Sequence, residues 1–420
     1  MAVASAGTQS LAMTEARALT SPKPATSRAR VVIAGGGVAG LEALLALRDL
    51  AGDRVSITLV APQPTYTDKA MAVPEVFAEG HVRHYELAAI ANSLSAEFVR
   101  ESVDGVDPDA GCIHCASGAT IDYDHLVLAV GAKARPAWSH GITFGQDPRE
   151  AALHALLLEI EQGYVAQVAF IVPGGIVWPV PLYELALMTA RHAWSMGMER
   201  VRFTLVTPEE RPLGVFGRAP SQAVGQLLCD HGIELISSTY ASVEHCYVQL
   251  DPGGRGLTRA RVISPPVLDG PELPGVPADP SGFIPTDLHG RVPGLVGVYA
   301  AGDGAAFPIK QGGLAAQQAD AVAETIAAAV GAPVTARPFR PLLRATLLTG
   351  GDTRHLRHHV AGGDGEGEVA THELWSPAAK LFGRYLTPYL LAHDRTERQK
   401  SAASPAGSQP LLVSELTTLR

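Results

Sequence analysis

The sequence predicts an α/β fold with two domains built on parallel sheets, the second inserted into the first, followed by a C-terminal α+β segment. Three observations predict it. A glycine-rich turn joins an apolar strand at residues 30–34 to an apolar helix at 38–50. Far downstream, a strand ends in Ala-Gly-Asp at residues 301–303 and precedes a helix that opens with glycine. Between these halves, residues 167–236 alternate strand, helix, strand, helix and strand.

The first turn has the G-x-G-x-x-G spacing of dinucleotide-binding proteins, formed by Gly35, Gly37 and Gly40. Gly35 permits the tight turn, Gly37 lets a pyrophosphate approach the backbone, and Gly40 lets helix and strand pack closely. The N-terminus of the helix then directs free N–H groups at the phosphates. Glu42 fits the extended form of this turn. The alternative is a glycine-rich loop without a ligand.

The second strand, at residues 55–60, lacks one expected feature. In a dinucleotide-binding fold, an acidic residue about 20 positions after the glycines bonds the adenosine ribose. Here the strand is followed by Ala61-Pro62-Gln63. We therefore expect Gln63 or the main chain to recognise the ribose.

Three motifs together resemble a known family: the Gly35 turn, LVLAVGA at residues 126–132, and AAGD at residues 300–303. The chain is similar to FAD-dependent flavoproteins of the pyridine nucleotide-disulfide oxidoreductase superfamily, in the branch of type II NADH dehydrogenases and sulfide:quinone reductases. The similarity runs from about residue 30 to about residue 389. It implies two Rossmann-like dinucleotide-binding domains: an FAD domain in two segments, and a nicotinamide-type domain inserted between them.

The resemblance also implies which residues hold FAD. Gly131 and Ala132 would return the chain past the cofactor. Asp303, which follows Gly302, would hydrogen-bond the ribityl or phosphate part. Without the resemblance, Asp303 would be interpreted as a solvated aspartate in a turn.

The next helix would contact the isoalloxazine ring, by the same resemblance. Lys310 and Gln311 would lie beside the ring. The backbone from Gly312 and Gly313 to residue 314 would direct a helix N-terminus at N1 and the C2 carbonyl, and would stabilise negative charge there. Without the resemblance, Lys310 would be interpreted as a surface lysine.

Six segments are predicted along the chain. They are a disordered leader at 1–28, the first half of the FAD domain at 29–145, the inserted NAD(P)-type domain at 146–266, the second half of the FAD domain at 267–332, a C-terminal segment at 333–394 and a disordered tail at 395–420. The leader is rich in Ala, Ser and Thr and has no continuous apolar core, unlike a secretory signal. A cytoplasmic location is therefore predicted.

Composition excludes one class of partner. There are 42 acidic and 33 basic side chains, a net charge of -9, and no basic run, so nucleic acid is not expected to bind. Hydrophobic residues make up 46% of the chain, as in globular proteins. No apolar stretch reaches the length of a membrane-spanning helix.

The cysteines do not match the redox disulfide of related flavoproteins. The chain has four: Cys112, Cys115, Cys229 and Cys246. Cys112 and Cys115 form a C-x-x-C, but they fall in a predicted hairpin, where a separation of three sends side chains to opposite faces. A second C-x-x-C for zinc is absent from the sequence, so no metal site is predicted.

The inserted domain has an unusual first turn. If Glu184 takes the acidic place after the turn, the three glycine positions fall on Val177, Pro179 and Leu182, whose side chains obstruct close approach of a pyrophosphate. NAD(P)H binding is therefore not supported by its own motif. Trp178 lies where sulfide:quinone reductases carry a catalytic cysteine. It would stack on the flavin, exclude water or gate a substrate; a loop aromatic with only a packing role explains it equally well.

The C-terminal region leaves three explanations open. Residues 375–394 mix aromatic and aliphatic side chains with Lys380 and Arg384, and are interrupted by Pro388. In quinone-reducing relatives the comparable region contacts the membrane, here at its inner face, and admits quinone to the flavin. A homodimer contact or packing into the core explains the stretch as well.

Two further features precede that stretch. Residues 338–351 predict a pair of strands. His355, His358 and His359 form a tract that is able to bind metal, but the neighbouring glycines and mixed charges favour an exposed loop.

The combined prediction is an FAD-dependent oxidoreductase that passes two electrons from a reduced small-molecule donor to a quinone or similar acceptor, without a redox-active disulfide. NAD(P)H stays a candidate donor. Lys310 and Trp178 are the candidate catalytic residues. Two alternatives stay open: an FAD-binding interaction protein that has lost turnover, and a sulfide:quinone reductase-like activity by a route without cysteine.

Overall fold

The computed structural model describes residues 28–145, 150–175, 177–245, 247–254, 256–360 and 365–403. All but the last residue of the predicted leader at 1–28, residues 404–420 of the predicted tail at 395–420, and Cys246 lie outside these residues. The α-helices are α1 (Val38–Ala51), α2 (Ala72–Val76), α3 (Leu87–Ser93), α4 (Ala151–Glu161), α5 (Val180–Ser195), α6 (Arg218–Asp230), α7 (Gly312–Ala329) and α8 (Leu386–Ala403).

The strands follow in chain order. They are β1 (Ala29–Ala34), β2 (Val55–Val60), β3 (Thr65–Asp68), β4 (Arg83–Glu86), β5 (Glu97–Val99), β6 (Val103–Asp107), β7 (Cys112–Cys115), β8 (Thr120–Asp122), β9 (His125–Leu128), β10 (Lys133–Arg135), β11 (Ile142–Thr143), β12 (Gln167–Ile171), β13 (Arg202–Val206), β14 (Ile233–Ile236), β15 (Tyr240–Glu244), β16 (Tyr247–Asp251), β17 (Gly256–Thr258), β18 (Arg261–Ser264), β19 (Val267–Asp269), β20 (Val298–Ala300), β21 (Leu342–Leu347), β22 (Arg354–His359) and β23 (Glu368–Ala370).

The first domain is a parallel sheet in the order β20-β9-β1-β2-β5. Strand β20 comes from the second predicted half and pairs with β9 from the first, so the two halves form one sheet. Apolar side chains of α1 and α7 pack on this sheet in one buried cluster, which includes Ile33, Leu44 and Val322. The carboxyl ends of β1 and β20 therefore lie at the same edge of the sheet, separated by β9, and each is followed by a glycine turn and a helix.

The inserted domain is a second parallel sheet, in the order β11-β18-β12-β13-β14. The predicted α/β fold with two Rossmann-like domains is therefore confirmed. The chain enters the inserted domain slightly before residue 145, the predicted end of the first half of the FAD domain, because β11 already belongs to the second sheet. Strands β10 and β19 pair antiparallel, one from each passage between the domains.

The C-x-x-C lies in the predicted hairpin. Strand β7 pairs antiparallel with β6 and β8. Cys115 is buried beside Ile113 in one cluster that does not include Cys112, as expected for opposite faces. Cys112, Cys115 and Cys229 are free thiols, and burial raises the pKa of both hairpin thiols.

The C-terminal region corrects two expectations. The histidine tract is not a loop: His355, His358 and His359 lie on β22, the central strand of the antiparallel sheet β21-β22-β23. The Nδ1 atom of His358 is 2.8 Å from the carbonyl oxygen of Val215. Helix α8 continues to Ala403, into the stretch predicted as a disordered tail, and Pro388 lies in its first turn, where a proline is tolerated.

Helix α8 packs inward. Leu386 and Leu390 are buried in the cluster of the first domain, with Tyr385 and Tyr389 packed against it. Core packing therefore accounts for most apolar residues of the stretch at 375–394, although Leu391 is 40% exposed. In the described part of the chain, no helix has the length and hydropathy needed to cross a membrane.

Candidate functional site

The first glycine turn has the shape needed by a dinucleotide. A Cβ atom at Gly35 would lie 2.1 Å from the carbonyl oxygen of Ala129, and one at Gly40 would lie 1.8 Å from the carbonyl oxygen of Gly35. These two glycines are required by the fold. A Cβ atom at Gly37 would meet nothing within 4 Å, and Gly37 directly precedes the first turn of α1. The open space thus lies where the sequence places a pyrophosphate.

A second loop meets this turn. Gly302 lies against α1, because a Cβ atom added to it would be 2.9 Å from the Cβ of Ala39. The backbone N–H of Gly302 donates to Oε1 of Gln318 over 2.7 Å. The carbonyl oxygen of Gly131 would be 2.9 Å from a Cβ at Gly304. The loops at residues 131–132 and 302–304 therefore converge on the N-terminus of α1.

Helix α7 begins at the same place. Gln311 is its N-cap, and its Oε1 accepts from the backbone N–H of Leu314 over 2.9 Å. Gly312 faces α1: an added Cβ would be 3.7 Å from Cγ2 of Val38. The N-termini of α1 and α7 are therefore neighbours, and their partial positive charges add at one site. Gln318 was not among the predicted site residues. Only its position, about one and a half helical turns after Gly313, would have indicated that its side chain reaches the loop at Gly302.

Lys310 is buried, not a surface lysine. It is 3% exposed, its Nζ donates to the carbonyl oxygen of Ala305 over 2.5 Å, and the same atom lies 3.7 Å from the ring centroid of Phe283. Burial lowers the pKa of Lys310 to about 8, against the opposing effect of Asp303 and Asp279. Burial likewise raises the pKa of Asp303, which Lys310 partly offsets. The loop thus holds a coupled acid and amine beside the two helix ends.

Glu42 has different partners from those expected. It is 0% exposed, and its two carboxylate oxygens accept from the backbone N–H groups of Tyr385 and Leu386 over 2.8 and 2.7 Å. Both oxygens are used inside the protein. Glu42 therefore holds the start of α8 against α1, and the interpretation of Glu42 as a cofactor-binding residue is corrected. Gln63, at the end of β2, is exposed and open to solvent.

Glu42 also faces a second carboxyl group. Asp320 on α7 hydrogen-bonds Glu42, and burial together with the Glu42 and Glu324 carboxylates raises the pKa of Asp320 to about 8, although Arg384 opposes this. A folded-state pKa of about 8 against an ordinary value of 3.8 means that the folded protein holds a proton that the unfolded chain has lost. The stability from this group is present below pH 3.8 and is lost as the pH rises towards about 8.

We therefore expect Asp320→Asn to stabilise the protein at pH 8. The melting temperature should rise by several degrees at pH 8. The gain should shrink as the pH falls, by up to about 1.4 kcal/mol per pH unit, and vanish below about pH 4. Thermal unfolding of both proteins across this range measures it. The control is Asp49→Asn, on the exposed side of α1. Gln317→Glu, on the same helix as Asp320, is not suitable, because the Gln317 side chain hydrogen-bonds the backbone of Leu342. If the melting temperature of Asp320→Asn depended on pH in the same way as that of the wild type, the assignment would be contradicted.

Glu184 in the inserted domain repeats the arrangement of Glu42. It is 0% exposed; its Oε1 accepts from the backbone N–H of Leu348 over 2.9 Å, and its Oε2 accepts from Nζ of Lys380 over 2.7 Å. We call residues 380–386 the C-terminal strap. Glu184 of the inserted domain holds the strap at Lys380, and Glu42 of the first domain holds it at Leu386. Leu381 of the strap lies on the start of α7, since a Cβ at Gly312 would be 2.8 Å from its Cδ1.

Loss of the strap's ion pair should cost stability. Lys380→Met is expected to lower the free energy of unfolding by roughly 3 kcal/mol, because a buried carboxylate is left without its cation. The double variant Glu184→Gln with Lys380→Met should recover most of this. Chemical denaturation of the three proteins measures both changes, with Lys69→Met, at an exposed position, as the control. Equal stability of Lys380→Met and Lys69→Met would show that the pair contributes nothing.

The crevice of the inserted domain lies at the carboxyl ends of β12 and β13. Helix α5 begins at Val180 with Pro181 in its first turn, as predicted. Trp178 is half-buried, with its ring centroid 6.0 Å from that of Phe216. It lines a cavity of about 270 Å³ that also reaches Ile309, next to Lys310. Trp178 therefore does not border the open space at Gly37. It lines a separate cavity, which borders the loop that carries Lys310.

Glu209 was missed by sequence reasoning. It follows β13 by three positions, where a nicotinamide-type domain carries the acid that accepts ribose hydroxyls. Its Oε2 already accepts from the hydroxyl of Tyr183 over 2.8 Å and from that of Thr207 over 3.0 Å. Burial raises the pKa of Glu209, and these bonds oppose the shift. An acidic residue just after VRFTLV was the available signal.

The architecture and the glycine turns are those of a known family. A family model for pyridine nucleotide-disulphide oxidoreductases matches residues 29–330. The chain belongs to this family. Its members are FAD-dependent oxidoreductases, so the predicted superfamily, fold and enzyme class are confirmed.

Individual relatives agree with this placement. A sulfide-quinone reductase from Aquifex aeolicus (strain VF5) is 32% identical over 230 residues, which are 50% of this chain and 50% of that protein. The chain thus spans about half the length of this curated relative.

Solved structures show the same fold. The sulfide:quinone oxidoreductase from the hyperthermophilic bacterium Aquifex aeolicus has a TM-score of 0.73 at 21% identity, over 89% of this chain and 91% of that one. NDH2 from Plasmodium falciparum, solved in complex with NADH, has a TM-score of 0.53 at 15% identity, over 66% of this chain and 64% of that one.

Proposed function

We propose that this protein passes two electrons through FAD from a reduced small-molecule donor to a quinone or similar acceptor, without a redox-active disulfide. The observation that carries the proposal is the convergence of two helix N-termini, those of α1 and α7, with the buried Lys310. Such an arrangement stabilises negative charge that develops during reduction. Family membership supports the flavin, and the 32% identical sulfide-quinone reductase of Aquifex aeolicus supports the quinone.

The described residues fit FAD. Gly37 leaves open space at the start of α1, and the loops at residues 131–132 and 302–304 border it. We propose that Gly35, Gly37 and Gly40 form the pyrophosphate site, that Gln63 meets the adenosine ribose, and that Asp303 bonds the ribityl or phosphate part. FAD, when bound, takes two electrons from the donor and delivers them to the quinone, which also takes up two protons to become a quinol.

The protein's own groups have three tasks in this proposal. Lys310, held by Ala305 and Phe283, supplies a positive charge next to the start of α7. Gln311 fixes the first turn of α7 through Leu314, so the backbone N–H groups of Gly312 and Gly313 keep one direction. The strap covers Gly312 through Leu381 and limits the access of water from that side.

The described cysteines support a route without thiol chemistry. Cys115 and Cys112 belong to the β6-β7-β8 sheet, and Cys229 lies exposed at the end of α6. None of these three thiols belongs to the loops around Lys310 or Trp178. We propose a cytoplasmic protein whose contact with a membrane, at its inner face, or with a second copy is limited to the exposed part of residues 375–394.

Anaerobic stopped-flow spectroscopy of the visible flavin absorbance tests the proposal. Sulfide, NADH and NADPH are offered in turn as donors, and a short-chain quinone is then added to the reduced protein. Bleaching by one donor and recovery with quinone are expected. A flavin that responds to dithionite alone and does not recover with quinone would overturn the proposal and favour an FAD-binding interaction protein. Absence of flavin from the purified protein would also overturn it.

A further inference from the structure

The cavity beside Trp178 has the position of a nicotinamide site but not its chemistry. It lies at the carboxyl ends of two parallel strands, where open α/β sheets bind ligands. Its walls include Val172, Trp178, Glu209, Val215, Tyr240 and Ile309. The volume of about 270 Å³ lies just below the usual range of ligand pockets, which is roughly 300–1,000 Å³. A dinucleotide, with two sugars and two ring systems, exceeds it.

The charges of this pocket also oppose a dinucleotide. Among the described residues that line it, Glu209 is the acidic one and there is neither lysine nor arginine. A pyrophosphate carries two negative charges and needs basic side chains or free backbone N–H groups. Pro179 caps α5 and Pro181 lies in its first turn. Because proline has no N–H, this helix offers fewer donors to a phosphate than α1 does.

Glu209 does not offer the usual ribose contact. Its carboxylate accepts the hydroxyl hydrogens of Tyr183 and Thr207, and Tyr183 is 0% exposed. Both bonds end on Oε2, so a ribose hydroxyl that took over this oxygen would leave the Tyr183 hydroxyl buried without a partner, which costs roughly 1–3 kcal/mol. The acid is therefore a structural part of the pocket floor.

The remaining surface suits a neutral ring. Trp178 and the 57% exposed Tyr240 offer aromatic faces, and Val172, Val215 and Ile309 offer aliphatic ones. Ile309 directly precedes Lys310, so the pocket borders the loop that lies at the two helix N-termini. An uncharged compound of one or two aromatic rings would contact these apolar side chains and would bring no charge that the pocket leaves unpaired.

We propose that the Trp178 pocket binds a neutral aromatic redox compound of the quinone type, and that nicotinamide dinucleotides do not bind there. This inference rests on the proposed function and deepens it, because it places the ring substrate in the inserted domain. Val215 lines the pocket, and Trp178 reports on occupancy, since quinones quench tryptophan fluorescence on contact.

Menadione, a two-ring quinone, is the probe. Its binding to the oxidised protein is measured by tryptophan fluorescence and by calorimetry. We expect saturable quenching that Trp178→Phe largely removes and that Trp194→Phe, at an exposed position on α5, retains. Val215→Phe keeps Trp178 but fills the pocket, and should raise the dissociation constant roughly tenfold, a loss of about 1.4 kcal/mol, without changing the melting temperature. NADH should neither bind nor compete.

The outcomes separate this inference from the proposed function. Each preparation is also reduced with dithionite and mixed with menadione. Equal menadione affinity in the wild type and Val215→Phe overturns the pocket assignment, and so does NADH binding that Val215→Phe weakens. If menadione nevertheless reoxidises the flavin in both proteins, the proposed function stands. If menadione binds with the expected pattern but does not reoxidise the flavin, the pocket assignment stands and the quinone-reducing function fails.

Discussion

Replacing Gly37 by valine is expected to leave the protein folded and to lower its affinity for FAD by roughly 100-fold, or about 2.7 kcal/mol. The backbone at Gly37 is extended, with φ of -86° and ψ of -168°, which valine adopts without strain. A Cβ atom there meets no protein atom within 4 Å. The added side chain therefore obstructs only a ligand that approaches the start of α1. FAD content after purification and titration of the apoprotein with FAD measure the effect.

Two matched substitutions complete this test. Gly225→Ala in α6 has its nearest neighbour, Cγ of Pro212, at 3.7 Å from the new Cβ, and should change neither FAD binding nor folding. Gly40→Ala should instead prevent folding of the first domain, because its Cβ would lie 1.8 Å from a carbonyl oxygen. If Gly37→Val retained FAD as tightly as the wild type, the pyrophosphate would have to lie elsewhere.

The parts of the fold that sequence predicted well have strong local signals. The strand, turn and helix at Gly35 appear within about one residue of the predicted bounds, because apolar periodicity and glycine spacing both act over short distances. The inserted strand and helix order was predictable for the same reason. The turn after β20 and the buried Lys310 followed from the family resemblance, since a single lysine in a loop has no burial signal of its own.

The contacts that sequence could not predict join distant positions. Glu42 bonds backbone atoms 343 and 344 residues away, and Glu184 bonds Lys380 from 196 residues away. No local pattern distinguishes a glutamate with such partners from one that borders a cofactor. The histidine tract was misinterpreted for a related reason: polar residues on a central strand become acceptable only because β21, β23 and the loop at Val215 cover them.

Replacing Lys310 by methionine is expected to slow electron transfer through the flavin by roughly 100-fold, the loss typical when one charged or hydrogen-bonding group is removed from a site where charge develops. Methionine retains the length and the apolar stem, so packing on Phe283 should persist. Stopped-flow rates of flavin reduction and of reoxidation by quinone measure the effect. Lys69→Met, at an exposed position, should leave both rates unchanged. Wild-type rates in Lys310→Met would remove Lys310 from the catalytic residues.

The pH dependence distinguishes a charge effect of Lys310 from a packing effect. Burial lowers the pKa of Lys310 to about 8, so the amine is charged below this pH and neutral above it. The rates should therefore fall as the pH rises through about 8 in the wild type, and this step should be absent in Lys310→Met. Stability should change in the opposite direction. Between about 8 and the ordinary pKa of 10.5, the unfolded chain holds a proton that the folded protein has released, so this group makes the protein more stable as the pH rises. A rate and a stability that fell together in this range would point to general loss of structure instead of the titration of Lys310.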